Sequence, residues 1–141
     1  MLVVDGTILL ALAVATPHSS AAEALVEENL TLAAPQAALS EALEAARALM
    51  RQGHLAQTDF ERLPALWPPL LTVLAADAPL MTRAAHFAAA HELMMPAALA
   101  LALAEAKGAA LATLDEKLAQ AALDVLGMDR VRHVREEDAA S

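Results

Sequence analysis

Three acidic side chains, Asp5, Glu41 and Asp115, are the residues whose type and placement suit a shared site at one edge of a sheet. Asp5 is the only charge in the run LVVDGTILLALAVA, residues 2–15, and falls where an apolar strand ends and an apolar helix begins. Burying an unpaired carboxylate is costly, so such a group ionises beside a partner, caps a helix or holds a cation. Asp115 follows the apolar AALAT, residues 109–113, by two positions. Glu41 comes directly after QAALS in a helical stretch. In a parallel sheet Asp5 and Asp115 lie beyond the carboxyl ends of their strands, where open α/β sheets collect ligands. No basic residue is close in sequence to Asp5, and like charges sharing a site repel. A divalent cation resolves that repulsion, because Mg2+ takes one or two carboxylates and completes its shell with water. Each acid also has an ordinary explanation. Asp115 in TLDEK suits a helix cap, Glu41 between Ser40 and Glu44 suits a solvated helix face, and Asp5 suits a cap on the helix that follows it. The case for a site rests on the three together.

The elements that must position them are legible as short apolar strands separated by helices. LVVD reads as a buried strand, GTILLALAVA as a helix with Thr7 as its cap and Pro17 beyond it, and HSSAAEALVEEN as a second helix. LTLAAP reads as a second strand, followed by a helix over 36–53 with Arg51 in its last turn and Gly53 past its end. The stretch 58–77, capped by Thr58 or Asp59 and interrupted by Pro64, Pro68 and Pro69, reads as two helical pieces. PLMTRAAHFAAAHELM and PAALALALAEAKG read as helices opened by Pro79 and Pro96. AALAT is a buried strand, LDEKLAQAALDVLG a helix capped by Asp115, DRVRHV an edge strand and REEDAAS a solvated tail. Strands joined by helices rather than tight turns imply a parallel sheet flanked by helices, so the fold class is α/β.

Composition narrows the function. At 141 residues the chain suits one domain, and 58% hydrophobic residues with only 2% aromatics imply an aliphatic, helix-rich core. A net charge of −9 with nine scattered basic residues argues against a broad electrostatic nucleic-acid binder. No cysteine is present, so disulfides and thiolate metal sites are excluded. ILLALAVATPHSS imitates a secretory h-region, but no Lys or Arg precedes it and Asp5 stands in the n-region, so a cytoplasmic protein is expected. No run reaches a membrane span without Asp5 or Pro17 breaking it. His86 and His91 are five residues apart and poorly placed for chelation from one helix face. Met94 and Met95 suit packing or a partner surface. Arg47, Arg51 and Arg83 suit either a modest phosphate rim or scattered surface charge.

Taken with these acids, the segments LVVDGTILLALAV, APQAALSEALEAARALMRQGHL and LALAEAKGAALATLDEKLAQAA make the chain resemble the PIN-domain nucleases, particularly the VapC-type toxins of toxin–antitoxin pairs. The resemblance covers nearly the whole chain and rests on VVD-x-[ST]-x-L-x-A-L and AE-x-x-G-A-x-L-x-T-x-D-x-K-L as a pair. It implies a single PIN-like domain over 1–128, with 129–141 as a C-terminal strand and tail. It also implies an RNA-cutting enzyme using Mg2+ or Mn2+, with Asp5, Glu41 and Asp115 as catalytic metal ligands and Thr113 as the nearby hydroxyl. Its partners would be RNA, an antitoxin protein and a second copy of the chain in a homodimer.

One acid of the resemblance is absent. The place where the family carries an aromatic followed by Asp reads Pro96 and Ala97, and Glu92 and Glu105 are the nearest carboxylates in that stretch. Ala97 cannot bind a cation, so a weak or single-metal site is expected, because water can replace a carboxylate around Mg2+. Two rivals stand beside the nuclease: a PIN-like domain that has lost catalysis and serves as a binding or assembly module, and a plain helical interaction protein.

Overall fold

The structure, a computed structural model, describes residues 1–29 and 31–135. Five strands form one all-parallel sheet in the order β3-β2-β1-β4-β5. They are β1 (Leu2–Val4), β2 (Leu32–Pro35), β3 (Val73–Ala75), β4 (Ala110–Thr113) and β5 (Val131–His133). The helices are α1 (Gly6–Ala13), α2 (Ser19–Glu27), α3 (Gln36–Arg51), α4 (Gln57–Leu66), α5 (Met81–His91), α6 (Met95–Lys107) and α7 (Glu116–Leu126). Short 3-10 turns precede β3, α5 and β5. The α/β expectation therefore holds, and the purely helical alternative does not.

The central strands β1, β2 and β4 are short and buried on both sides, so their side chains divide between two aliphatic layers, whereas the edge strands β3 and β5 are part-exposed. Val3, Ala33 and Leu111 face α5, α6 and α7. Leu2, Val4, Leu32, Ala34 and Ala112 face α1 to α4, with Trp67 filling the layer. That indole donates from Nε1 to the Leu9 carbonyl at 2.8 Å. Helix α6 is apolar from Met95 to Ala104, and residues 97–104 are all buried, as expected of a helical stretch enclosed by protein on every side. Among the described residues no single helix is long and apolar enough to cross a membrane.

Three expectations need correction. Residues 73–75 are not helical: after α4 the two prolines make a 3-10 turn, and Val73–Ala75 pair in parallel with Ala33–Pro35 as an edge strand. A three-residue apolar strand carries no period, so its pairing partner decides its state. Thr7 does not cap α1. The cap is Asp5, whose carboxylate accepts from the Ile8 N–H. Likewise α4 starts at Gln57 behind Ala56, with neither Thr58 nor Asp59 as its cap. Residues 136–141 of the expected tail, and Leu30 at the head of the expected second strand, lie outside the described residues.

Candidate metal centre

In the strand order, β1 leads by way of its helices to β2 on one side, whereas β4 lies on the other. The carboxyl ends of β1 and β4 therefore flank the point where the order reverses, the crevice in which open parallel sheets bind ligands. Asp5 follows β1 directly and Asp115 follows β4 with Leu114 between, so both acids come to this crevice.

Asp5 is 1% exposed and fully served. Its Oδ1 accepts from the Thr7 hydroxyl at 2.6 Å and the Ile8 N–H at 3.2 Å, and its Oδ2 accepts from the Thr113 hydroxyl at 2.5 Å. The two hydroxyls are themselves oriented. Thr7 Oγ1 accepts from the Leu114 N–H and Thr113 Oγ1 from the Asp115 N–H, both at 2.9 Å. A threonine has one proton to donate. With a backbone donor on each oxygen, both protons point to Asp5. Burial pushes the Asp5 carboxyl above its usual range, and the nearby Asp115 charge adds to the rise, against the pull of Thr113, Thr7 and the Ile8 N–H.

Glu41 reaches the crevice from α3. Ala38, Ala42 and Ala46 form a fully buried stripe at four-residue spacing, and their small side chains let α3 lie close against α1. The Gly6 N–H, one of the donors that a helix start leaves unpaired, reaches Glu41 Oε1 at 2.6 Å. Glycine is required there, since a Cβ on residue 6 would stand 2.5 Å from that oxygen and 2.7 Å from Glu41 Cβ and Cγ. Burial first, and then the charges of Asp5 and Asp115, raise the Glu41 carboxyl to about 7 despite the Gly6 N–H. Asp115 caps α7, its Oδ1 accepting from the Lys117 and Leu118 N–H groups at 2.9 and 3.4 Å.

The cap explanation thus applies to Asp5 and Asp115 as well as any site role, whereas Glu41 is no ordinary surface charge. The three acids sense one another electrostatically. None of the ion pairs among the described residues involves them: those join Arg47 to Glu44, Arg83 to Glu105 and Lys117 to Glu92. By chemistry this donor set of carboxylate oxygens fits a hard divalent cation. The side chains as they stand do not close a cage, since among the described residues no three His, Asp or Glu groups are gathered at metal-holding separations.

The other candidates fall elsewhere. Ala97 is 2% exposed and packed in the α5–α7 layer. Its neighbours Met94 and Pro96 line a groove with Ser40, Glu41 and Glu44, so the start of α6 borders the centre. His86 and His91 lean on Phe87. Arg83 lies 4.5 Å over the Phe87 ring and Arg47 is held by its own helix, so Arg47, Arg51 and Arg83 do not gather into a rim at the acids. Local sequence offers Thr7 as a cap and as the hydroxyl of VVD-x-[ST], and gives Gly6 no role. The triplet Asp5-Gly6-Thr7 directly after an apolar strand is the sequence signal of this arrangement.

Three comparisons bear on these features. The family model for the PIN domain matches residues 2–123. The fold is similar to the crystal structure of PAE2754 from Pyrobaculum aerophilum, at a TM-score of 0.68 and 23% identity, over 93% of this chain and 82% of that one. A comparison with curated proteins found no match.

Proposed function

Since the chain belongs to the PIN domain family, a family with a nuclease-like fold that generally uses divalent metals, we propose that it is a metal-dependent ribonuclease. The observation that carries this reading is the convergence of Asp5, Glu41 and Asp115 on the switch point of the sheet, with none of them in an ion pair among the described residues. Asp5, Glu41 and Asp115 would hold Mg2+ or Mn2+. The ion, when bound, supplies Lewis-acid stabilisation of charge on the phosphate and a water nucleophile at neutral pH. The chain's own groups prepare for it. Thr7 and Thr113 orient Asp5 and favour its ionised form, the Gly6 N–H fixes one oxygen of Glu41, and the first turn of α7 fixes one oxygen of Asp115. Glu41, held near 7, gives up its proton as the site loads.

The VapC-type resemblance supports the role of toxin in a toxin–antitoxin pair, with an antitoxin protein and a second copy of the chain as partners in the cytoplasm. Ala97 favours a second reading. Where the resemblance calls for a third acid, the side chain is a buried methyl, which suits a domain that binds RNA or protein without cutting. Cleavage of a labelled single-stranded RNA in Mn2+, measured beside Asp5→Ala, tests the choice. Activity lost in the variant supports the nuclease. Equal or absent activity in both favours the binding module.

A further inference from the structure

The two edges of the sheet are finished differently. At β5 the edge is guarded: Arg132 stands on it, and its Nη1 donates to the Asp129 and Val131 carbonyls at 2.7 and 3.2 Å. Charged side chains of this kind keep an open strand from pairing with another chain. Among the described residues β3 has no such guard. Val73–Ala75 pairs with β2 alone, and it lies in a stretch without a charge from residue 63 to residue 76.

The surroundings of that edge are apolar as well as neutral. Val73 and Ala75 pack against the α5–α7 layer, so the alternation of a strand turns Leu74 to the other face, where it is 40% exposed. Leu70, in the turn that leads into β3, and Met81, where α5 begins beyond it, are exposed to a similar degree. Across residues 63–91 the charged side chains are Asp77 and Arg83 alone, in a chain of which 19% is charged. Both are engaged within the fold, Asp77 accepting from the Ala37 N–H at 3.2 Å and Arg83 paired with Glu105 at 2.7 Å.

Charge decides what can cover this edge. A basic partner gains nothing from a face without free carboxylates, and a polyanion gains nothing from one without free cations. A second copy of the chain carries the same net charge of −9 and is repelled wherever acids face acids; at the β3 edge it meets none. We propose that this edge is the interface of a homodimer, in which β3 pairs antiparallel with β3 of a second copy about a two-fold axis at Leu74. A stable pair buries about 800 Å² on each protomer, roughly a tenth of the 7386 Å² surface. A three-residue strand cannot supply that, so Leu70 and Met81 belong to the contact. Pro68, Pro69 and Pro79 bound the edge and cannot donate to a longer ladder. The guarded β5 edge prevents further addition, so assembly closes at two chains. β3 is two strands from β1, about 10 Å, which leaves the metal centre outside the contact. The proposal gives a surface to the second copy named above; it rests on that reading for the pair and not on the nuclease chemistry.

The test is sedimentation equilibrium of the full chain over a concentration series. Wild type should sediment as two chains at micromolar concentration, and added salt should tighten the pair by screening the like charge of the protomers. Leu74→Glu faces two carboxylates across the axis and should raise the dissociation constant about a hundredfold, tenfold for each copy. Met128→Glu, in the turn before β5 and 78% exposed, adds the same charge away from the edge and should leave the pair intact. The chain has no cysteine, so Leu74→Cys gives a second readout that misfolding cannot imitate. Residues opposed across an antiparallel pair lie about 4.5–5.5 Å apart between Cα atoms, within disulfide reach. Mild oxidation should link two Leu74→Cys chains and leave Met128→Cys chains single. A wild-type chain that stays monomeric overturns the pair and this surface together, without touching the nuclease reading. A pair that survives Leu74→Glu, loosens in salt, or fails to cross-link through Leu74→Cys overturns the surface alone.

Discussion

Glu41→Gln separates the electrostatic cost of the centre from its shape. The amide keeps an oxygen to accept the 2.6 Å hydrogen bond from Gly6 but cannot carry charge. In the wild type, burial and the Asp5 and Asp115 charges raise Glu41 from 4.5 to about 7. At 1.36 kcal/mol per pKa unit that rise corresponds to roughly 3 kcal/mol. This is a ceiling, because Glu41 is only part-buried and solvent screens it, and a working range is about 1–3 kcal/mol. The sign follows from proton linkage. Between about 4.5 and about 7 the native chain binds more protons here than the unfolded chain, so stability falls as pH rises through that window. The full contribution is present below about 4.5 and is lost above about 7. Metal-free Glu41→Gln should therefore be more stable than wild type by about 1–3 kcal/mol at pH 8, a Tm gain of roughly 3–10 °C, and no more stable at pH 4.5. Urea unfolding in EDTA reads this directly, since the single tryptophan, Trp67, is 1% exposed and reports loss of the core. Saturating Mn2+ should then stabilise the wild type more than the variant. A Gln variant equal to or weaker than wild type at pH 8, or an advantage that persists undiminished at pH 4.5, would refute this account of Glu41.

Three further outcomes are expected. Gly6→Ala places a methyl 2.5 Å from Glu41 Oε1, which should cost about 1–3 kcal/mol in urea unfolding and weaken the Mn2+ response; unchanged stability would mean that Glu41 moves aside freely. Thr113→Val, nearly the same shape, removes the donor to Asp5 Oδ2 and the acceptor for the Asp115 N–H. It should lose about 2–3 kcal/mol at pH 8 and less in acid, where Asp5 is protonated; a loss independent of pH would point to packing alone. Ala97→Asp puts a carboxylate at a position 2% exposed, so it should lower the unfolding midpoint in EDTA and tighten Mn2+ binding by calorimetry; lower stability with unchanged affinity would place residue 97 away from the acids.

Local patterning determined much of this protein. LVV and ALAT are apolar runs too short for helices and flanked by them, so the chain order alone requires parallel strands with Asp5 and Asp115 beyond their ends. Cap chemistry and proline placement bounded α6 and α7 for the same reason: they act within one turn of the backbone. What depended on distant partners stayed hidden. Val73–Ala75 became a strand because β2 offered a free edge beside it. Glu41 left the solvent because an alanine stripe on α3 could approach a glycine 35 positions earlier in the chain. The Thr113 hydroxyl met Asp5 across 108 positions, and His133 reached the Leu114 carbonyl only when β5 docked beside β4. Periodicity reports which face of a segment is buried, but the identity of the atoms that a buried carboxylate meets is set by tertiary packing.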